Sequence, residues 1–395
     1  MLAVVPIGCA TIVYAILASL HPLLSTSPIG VFCLSILFLI ALSVVLVHPN
    51  RDPLDPLRLA SLIFLGIYCI APLFTQSFDW FYTGDERFLL ERAAIFVLVA
   101  FIFLCVGYAL GPSLRPSEPA RSQAPIRQPM VAYFGLALFG IGLLAYLVGI
   151  VSAGGLGRLF AGEESRVQFF KGIGWLYWAS FFMLPGGVLY FIGSMVTRPR
   201  MAWLFAWPLV TAFIALILLQ GRFRALRALV CLMILWHYRV RRFRAHELAI
   251  LLAGGFGFFV FVGYARHPDI RPYLLKDPLG VIMEVATNFL QYSQAIIGDT
   301  ISRIPQVMLG IDAFPDRFAH QWGQTVLVAF NPILRIFGLA DLQTENAGTI
   351  FFQLAHPEFP SWLETGYHTS LAGELLANFP WFIALFFFLL YGILL

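Results

Sequence analysis

The chain has 395 residues, of which 60% are hydrophobic and only 12% charged, with a formal net charge of +4. Soluble chains carry roughly 45–50% apolar and about 25% charged residues, so the composition excludes a soluble globule, a disordered protein and a disulfide-stapled secreted domain. It leaves an all-α polytopic integral membrane protein, and the absence of a polybasic run argues against a nucleic-acid partner.

A helix crossing about 30 Å of hydrocarbon needs about 20 residues at 1.5 Å each. Residues 1–50 contain no Lys, Arg, Asp or Glu and supply two spans, 3–20 and 28–47. The N-terminus lacks the basic start of a signal peptide and further spans follow at once, so the first helix is read as retained. Charge-poor stretches predict further spans at 58–75, 90–111, 130–152, 174–196, 201–220, 221–238, 247–265 and 374–395, about ten in all. The Pro-rich stretch Pro112–Pro129 reads as a surface connection between the fourth and fifth. The five cysteines, Cys9, Cys33, Cys69, Cys105 and Cys231, all fall in apolar stretches and read as small apolar fillers. The sequence stops at Leu395 inside an apolar stretch, which points to further helices beyond it.

Arg and Lys in short loops set orientation. Arg51, then Arg115, Arg121 and Arg127, then Arg198 and Arg200, then Arg239, Arg241, Arg242 and Arg244 mark alternate loops as cytoplasmic, with both termini inside. The opposite loops carry acids such as Asp79, Asp85, Glu86, Glu163 and Glu164. Three parts result: a nine-span bundle over 1–265, an extracytoplasmic segment over 266–373 and a last span over 374–395. The middle segment is interrupted by prolines, and its apolar pieces, Leu279–Ile297 and Thr325–Leu339, carry polar groups such as Glu284, Asn288, Gln291, Asn331 and Arg335. They read as interfacial or re-entrant helices.

The most informative stretch begins the eighth span, where Arg222, Arg224 and Arg227 precede an apolar run ending at Tyr238. From Arg227 to Tyr238 is about 18 Å of helix, too short to cross; starting at Gly221 gives about 27 Å. The three arginines therefore fall in the first turns of the span. An Arg there costs roughly 0–3 kcal/mol, three of them repel, and the N-terminal dipole end disfavours cations. A bound polyanion reverses each of these terms, because backbone N–H groups, the dipole and guanidinium forks all suit a phosphate. The stretch thus reads as an outward phosphate or pyrophosphate site, with a snorkelling interfacial collar as the competing explanation. The excess of 23 Arg over two Lys adds little, since genome composition produces the same skew.

Arg166 and Arg266 lie in or beside outward loops and are further anion-binding candidates. His368 precedes the final apolar stretch and has the chemistry for general-base or hydrogen-bonding work near neutral pH. Glu374 sits at the helix mouth, where a carboxylate also suits the dipole. No Walker or dinucleotide fingerprint and no His/Cys cluster stands in a suitable context, so no metal or other cofactor is expected.

The stretch Asp52-Pro-Leu-Asp-Pro-Leu-Arg58, running into a helix that ends Ala71-Pro-Leu, resembles the early segment of bacterial oligosaccharide repeat-unit polymerases, the O-antigen polymerase (Wzy-type) family. Ala153-Gly-Gly-Leu with Arg166, the Arg-bearing helix start at Gly221–Arg227, and His368-Thr-Ser-Leu-Ala-Gly-Glu374 are also similar to it. The last also resembles the related O-antigen ligases. The resemblance implies a glycosyltransferase at the outer face of the bacterial inner membrane, acting without nucleotide sugars on undecaprenyl-pyrophosphate-linked oligosaccharides. It implies Arg222, Arg224 and Arg227 on the pyrophosphate, His368 or Glu374 on the acceptor hydroxyl, Arg166 and Arg266 assisting, and a chain-length regulator or flippase as partner. The alternatives are a ligase-type glycan transferase and a transporter for lipid-linked or anionic substrates.

Overall fold

The computed structural model describes residues 4–22, 24–48, 52–75, 85–114, 128–155, 176, 179–195, 202–218, 222–265, 270, 273, 276–295, 297, 303–316, 318–327, 350–351 and 370–395. Among these residues all regular structure is helical. In chain order the helices are α1 (Val4–Leu20), α2 (Pro28–Val47), α3 (Pro56–Phe64), α4 (Glu86–Leu114), α5 (Gln128–Ser152), α6 (Met183–Met195) and α7 (Trp207–Leu218). There follow α8 (Arg222–Arg239), α9 (Ala245–Ala265), α10 (Pro278–Thr287), α11 (Phe289–Ala295), α12 (Ile304–Ala313), α13 (Leu371–Asn378) and α14 (Trp381–Leu394).

Among the described residues five helical stretches are long and apolar enough to cross a membrane: Pro28–Val47, Pro56–Phe74, Glu86–Gly111, Pro129–Ser152 and His246–Tyr264. They present large apolar side chains outward, among them Phe32, Ile63, Phe134, Leu144 and Ile250, a surface that suits lipid and not water. The protein is a helical membrane protein.

Local chemistry explains several starts. Ser27, Asp55 and Asp277 each precede a proline, and each side chain accepts a hydrogen bond from the first helical turn: Ser27 from Gly30, Asp55 from Leu57 and Arg58, Asp277 from Gly280. The cap satisfies a backbone donor, and the proline has no N–H needing one. α3 continues through a π-type turn, Leu65–Ile70, and a 3₁₀ turn, Ala71–Phe74, so one uninterrupted helical stretch of 19 residues results.

The chain divides into two compact units, Met1–Ser117 with Gln294–Leu395, and Glu118–Ser293. The expected 1–265 bundle is thus shared between them, and the last apolar helix belongs with the first four. In the first unit α4 is the centre. Its buried Phe96 and Phe101 meet Phe388 of α14 and Phe64 of α3. α4 and α14 run parallel: Phe96 packs on Trp381, while further along Gly107 faces Leu389 and Gly392, and Gly111 faces Ile393. Gly107-Tyr-Ala-Leu-Gly111 puts both glycines on one face, and their missing side chains let the two backbones touch. In lipid such close packing, not apolar burial, holds helices together.

In the second unit α5 and α6 are antiparallel. Gly135 and Gly142 of α5 face the backbones of Leu189–Tyr190 and Phe182–Met183, and Gly186 and Gly193 of α6 face Phe139 and Ala132. Each pair is seven residues apart, two turns along one seam. α8 and α9 form a hairpin closed by residues 240–244, with Leu229 against Gly255. Arg241 holds Glu247 through two contacts of 3.0 Å, and the same carboxylate accepts the Arg244 backbone N–H at 2.9 Å, capping α9.

Three expected elements differ. The span read over 201–220 is a short helix, Ala202–Phe205, followed by α7 after a break at Ala206. The span read over 374–395 is two helices, α13 and α14, separated at Phe379–Pro380. Pro380 can neither donate to a helical ladder nor let the residue before it stay helical. The piece read over Leu279–Ile297 is likewise split into α10 and α11 at Asn288.

Candidate functional site

Among the described residues of the first unit, a polar cluster surrounds Glu374. Ser370 caps α13, its Oγ accepting from Gly373 N at 3.1 Å, so Glu374 falls in the first turn, where the helix dipole favours a carboxylate. The Thr325 hydroxyl donates to Glu374 Oε1. Asn378, one turn further on, donates to Thr325 Oγ1 at 2.6 Å and to the Glu374 carbonyl at 2.8 Å, and its own Oδ1 accepts from Gly323 N at 2.8 Å. Thr325 and Asn378 are almost fully buried.

What brings Thr325 here is a strap, residues 320–325, laid over the end of α13. Gln321 N donates to Ala377 O at 3.0 Å and Trp322 N to Asn378 O at 2.9 Å, satisfying carbonyls that the helix end leaves open. The strap turns through two left-handed residues, Trp322 at φ 47° and Gly323 at φ 88°. Gly323 takes that conformation without steric cost.

Beneath the strap lies α12, nearly every residue of which is buried. It packs on α4 and crosses α13 where Gly373 passes Gln306 and Gly310 passes Leu376. Arg303, just before α12, and Gln306 are both buried. The buried Tyr68 hydroxyl interacts with Ser370 and with the Ala372 backbone, and it feels the charge of Arg303. A carboxylate, a hydroxyl, an amide, a phenol and a guanidinium are therefore drawn into the apolar interior of one unit. Buried polar groups are kept where they are hydrogen-bonded, and a carboxylate held in a fixed orientation can orient or deprotonate a substrate hydroxyl.

Arg222, Arg224 and Arg227 occupy the first two turns of α8, in the second unit. The apolar remainder, Ala228–Arg239, is too short on its own to cross a membrane, as the spacing predicts. His368, Arg166 and Arg266 lie outside the described residues, as does most of the piece read over Thr325–Leu339, of which one turn, Gln324–Leu327, is described.

The Asp52–Arg58 motif is structural. Asp55 Oδ1 caps α3 and its Oδ2 accepts from the Tyr108 hydroxyl at 3.2 Å. Asp52 Oδ1 accepts from Leu54 N at 2.9 Å, and Arg58 donates to the carbonyls of Asp52 and His48 at 3.3 and 2.8 Å. The motif thus locks the turn between α2 and α3. Among the described residues no group of His, Cys, Asp and Glu side chains is arranged to hold a metal.

Thr325, Asn378, Arg303 and Gln306 are the polar residues that sequence reasoning passed over. Asn378 carries a signal, since an Asn-Phe-Pro triplet marks a helix end; the others carry none. Compared with known protein families, curated proteins and solved structures, the chain matches none.

Proposed function

We propose that the protein is a multi-pass glycosyltransferase of the bacterial inner membrane, with about ten spans, that polymerises undecaprenyl-pyrophosphate-linked oligosaccharide repeat units at the outer face. The observation that carries this reading is the placement of Arg222, Arg224 and Arg227 in the opening turns of α8. A cationic helix start beside an apolar run suits a pyrophosphate held at membrane depth. The parallel course of α4 and α14 agrees with this topology, in which both run from the outer to the cytoplasmic face.

In the proposed reaction the acceptor sugar hydroxyl attacks the anomeric carbon of the donor. The bond from that carbon to the pyrophosphate oxygen breaks, and undecaprenyl pyrophosphate departs. The arginines of α8 stabilise the charge growing on the leaving group, with Arg166 and Arg266 assisting. The acceptor proton passes to His368 or Glu374. Thr325 and Asn378 fix the direction in which the Glu374 carboxylate points. A chain-length regulator or flippase would be the natural partner.

The test is replacement of Arg224 by Ala in cells, followed by extraction of lipid-linked sugars. Accumulation of single repeat units with loss of long chains is expected. Unchanged polymer length sinks the reading, and accumulation of long lipid-linked chains would mark a ligase instead.

A further inference from the structure

After α9 the chain packs back against that helix. Phe289 packs edge-on against Phe256 with ring centroids 6.2 Å apart, and Tyr292 lies against Tyr264 at 4.2 Å. Phe256 precedes Tyr264 by eight residues, about 12 Å of helix, so α10 and α11 lie alongside the apolar span. α10 buries Val281 and Val285 against its surroundings and exposes Leu279, Ile282 and Met283, while α11 exposes Leu290. That outward apolar surface suits the boundary between headgroups and acyl chains, where an interfacial helix lies.

Glu284 stands exposed among these side chains. A carboxylate so placed is costly and marks a functional position together with its partner. The partner here is Tyr264, whose hydroxyl interacts with the Glu284 carboxylate and whose ring lies against that of Tyr292. Interfacial tyrosines alone are common and need no acid; two phenols in tilted contact beside an exposed carboxylate are a different arrangement.

The position within the second unit adds a second argument. From the Leu229–Gly255 contact, the α8 backbone rises about 10 Å to Arg222 and the α9 backbone about 14 Å to Tyr264. The tyrosine pair and the arginine-bearing turns therefore share one end of the α8–α9 hairpin. In a lipid-linked glycan the first sugars adjoin the pyrophosphate.

We propose that Tyr264, Tyr292 and Glu284 form a subsite for a neutral pyranose of the glycan, the ring pair meeting the C–H face of the sugar and Glu284 accepting its hydroxyl protons. Aromatic walls with few polar groups are the usual composition of such sites. The proposal rests on the glycan-transfer reading, yet its test does not require activity.

The full-length chain in nanodiscs is mixed with methyl glycosides of glucose, galactose, mannose and N-acetylglucosamine, and saturation transfer from protein to sugar is read by NMR. Transfer to at least one glycoside is expected. It should be lost in Tyr292→Leu, weakened about fivefold or more in Glu284→Gln, and unchanged in Tyr133→Leu, an exposed tyrosine of α5. Tyr264→Phe keeps the ring and removes only the hydroxyl, so weaker binding at an unchanged melting temperature separates recognition from misfolding. No transfer from the wild type to any glycoside, or transfer undiminished from the wild type in both Tyr292→Leu and Glu284→Gln, overturns the subsite. Sugar binding combined with normal polymer length in Arg224→Ala would keep the subsite and remove the polymerase reading.

Discussion

Asn378 donates to the Thr325 hydroxyl over 2.6 Å, and the Thr325 hydroxyl in turn donates a hydrogen bond to Glu374. The relay spans 53 residues of sequence at its first step and ties the strap to α13. Thr325→Val keeps the shape and removes both roles of the hydroxyl. It should destabilise the protein by about 1–3 kcal/mol, the cost of leaving a buried amide donor unpaired. Polymer formation should fall in Thr325→Val and in Glu374→Gln alike, while Thr325→Ser should keep it. The measurements are thermal unfolding of the purified protein and chain length of the lipid-linked product; equal activity in Thr325→Val and Thr325→Ser would remove Thr325 from the site.

The parallel packing of α4 on α14 depends on Gly107 and Gly392. A methyl group on either would collide with the backbone of the facing helix, which cannot swing aside as a side chain can. Gly107→Ala should therefore cost about 1–3 kcal/mol, the usual penalty of overpacking. Gly140, on α5, has open space where its Cβ would stand, so Gly140→Ala should be neutral or slightly stabilising. Melting temperatures of the two variants in the same detergent check the contrast.

Asp55 serves two elements at once, capping α3 and receiving Tyr108 of α4. Asp55→Ala should cost about 1–2 kcal/mol for the cap and more for the stranded phenol. Tyr108→Phe removes only the second contact and should cost less. Since neither residue belongs to the proposed chemistry, both variants should change expression level and melting without altering polymer length in the protein that does fold.

Span positions were legible because uncharged length is a direct consequence of hydrocarbon thickness: α2 occupies the expected 28–47, and α9 begins within two residues of expectation. Pro380 was visible but outweighed, because hydropathy summed over twenty residues does not register one missing N–H. The burial of α12 was not legible, since a helix of ten residues is too short for a span and, with Gln306 and Asp312 in it, resembles any amphipathic loop helix. Of the site, the arginine spacing and Glu374 could be read locally. Thr325 and Arg303 could not, because their meaning arises from contacts across the fold and neither stands in a local motif.

His21, between α1 and α2, interacts with the backbone of Thr75 at the end of the helical stretch that α3 begins. Partial burial lowers its imidazole pKa, and the Thr75 contact offsets only part of that effect. The sign follows from proton uptake. Below the ordinary histidine value of about 6.5 the unfolded chain binds a proton that the folded chain resists. The contribution of His21 is therefore complete above that pH and is lost progressively as pH falls towards the lowered folded value. His21→Gln, which cannot titrate, should remove this component. The melting temperature of the wild type should drop more than that of the variant between pH 7.5 and 5.5, and parallel losses in both proteins would show that some other group carries the acid sensitivity.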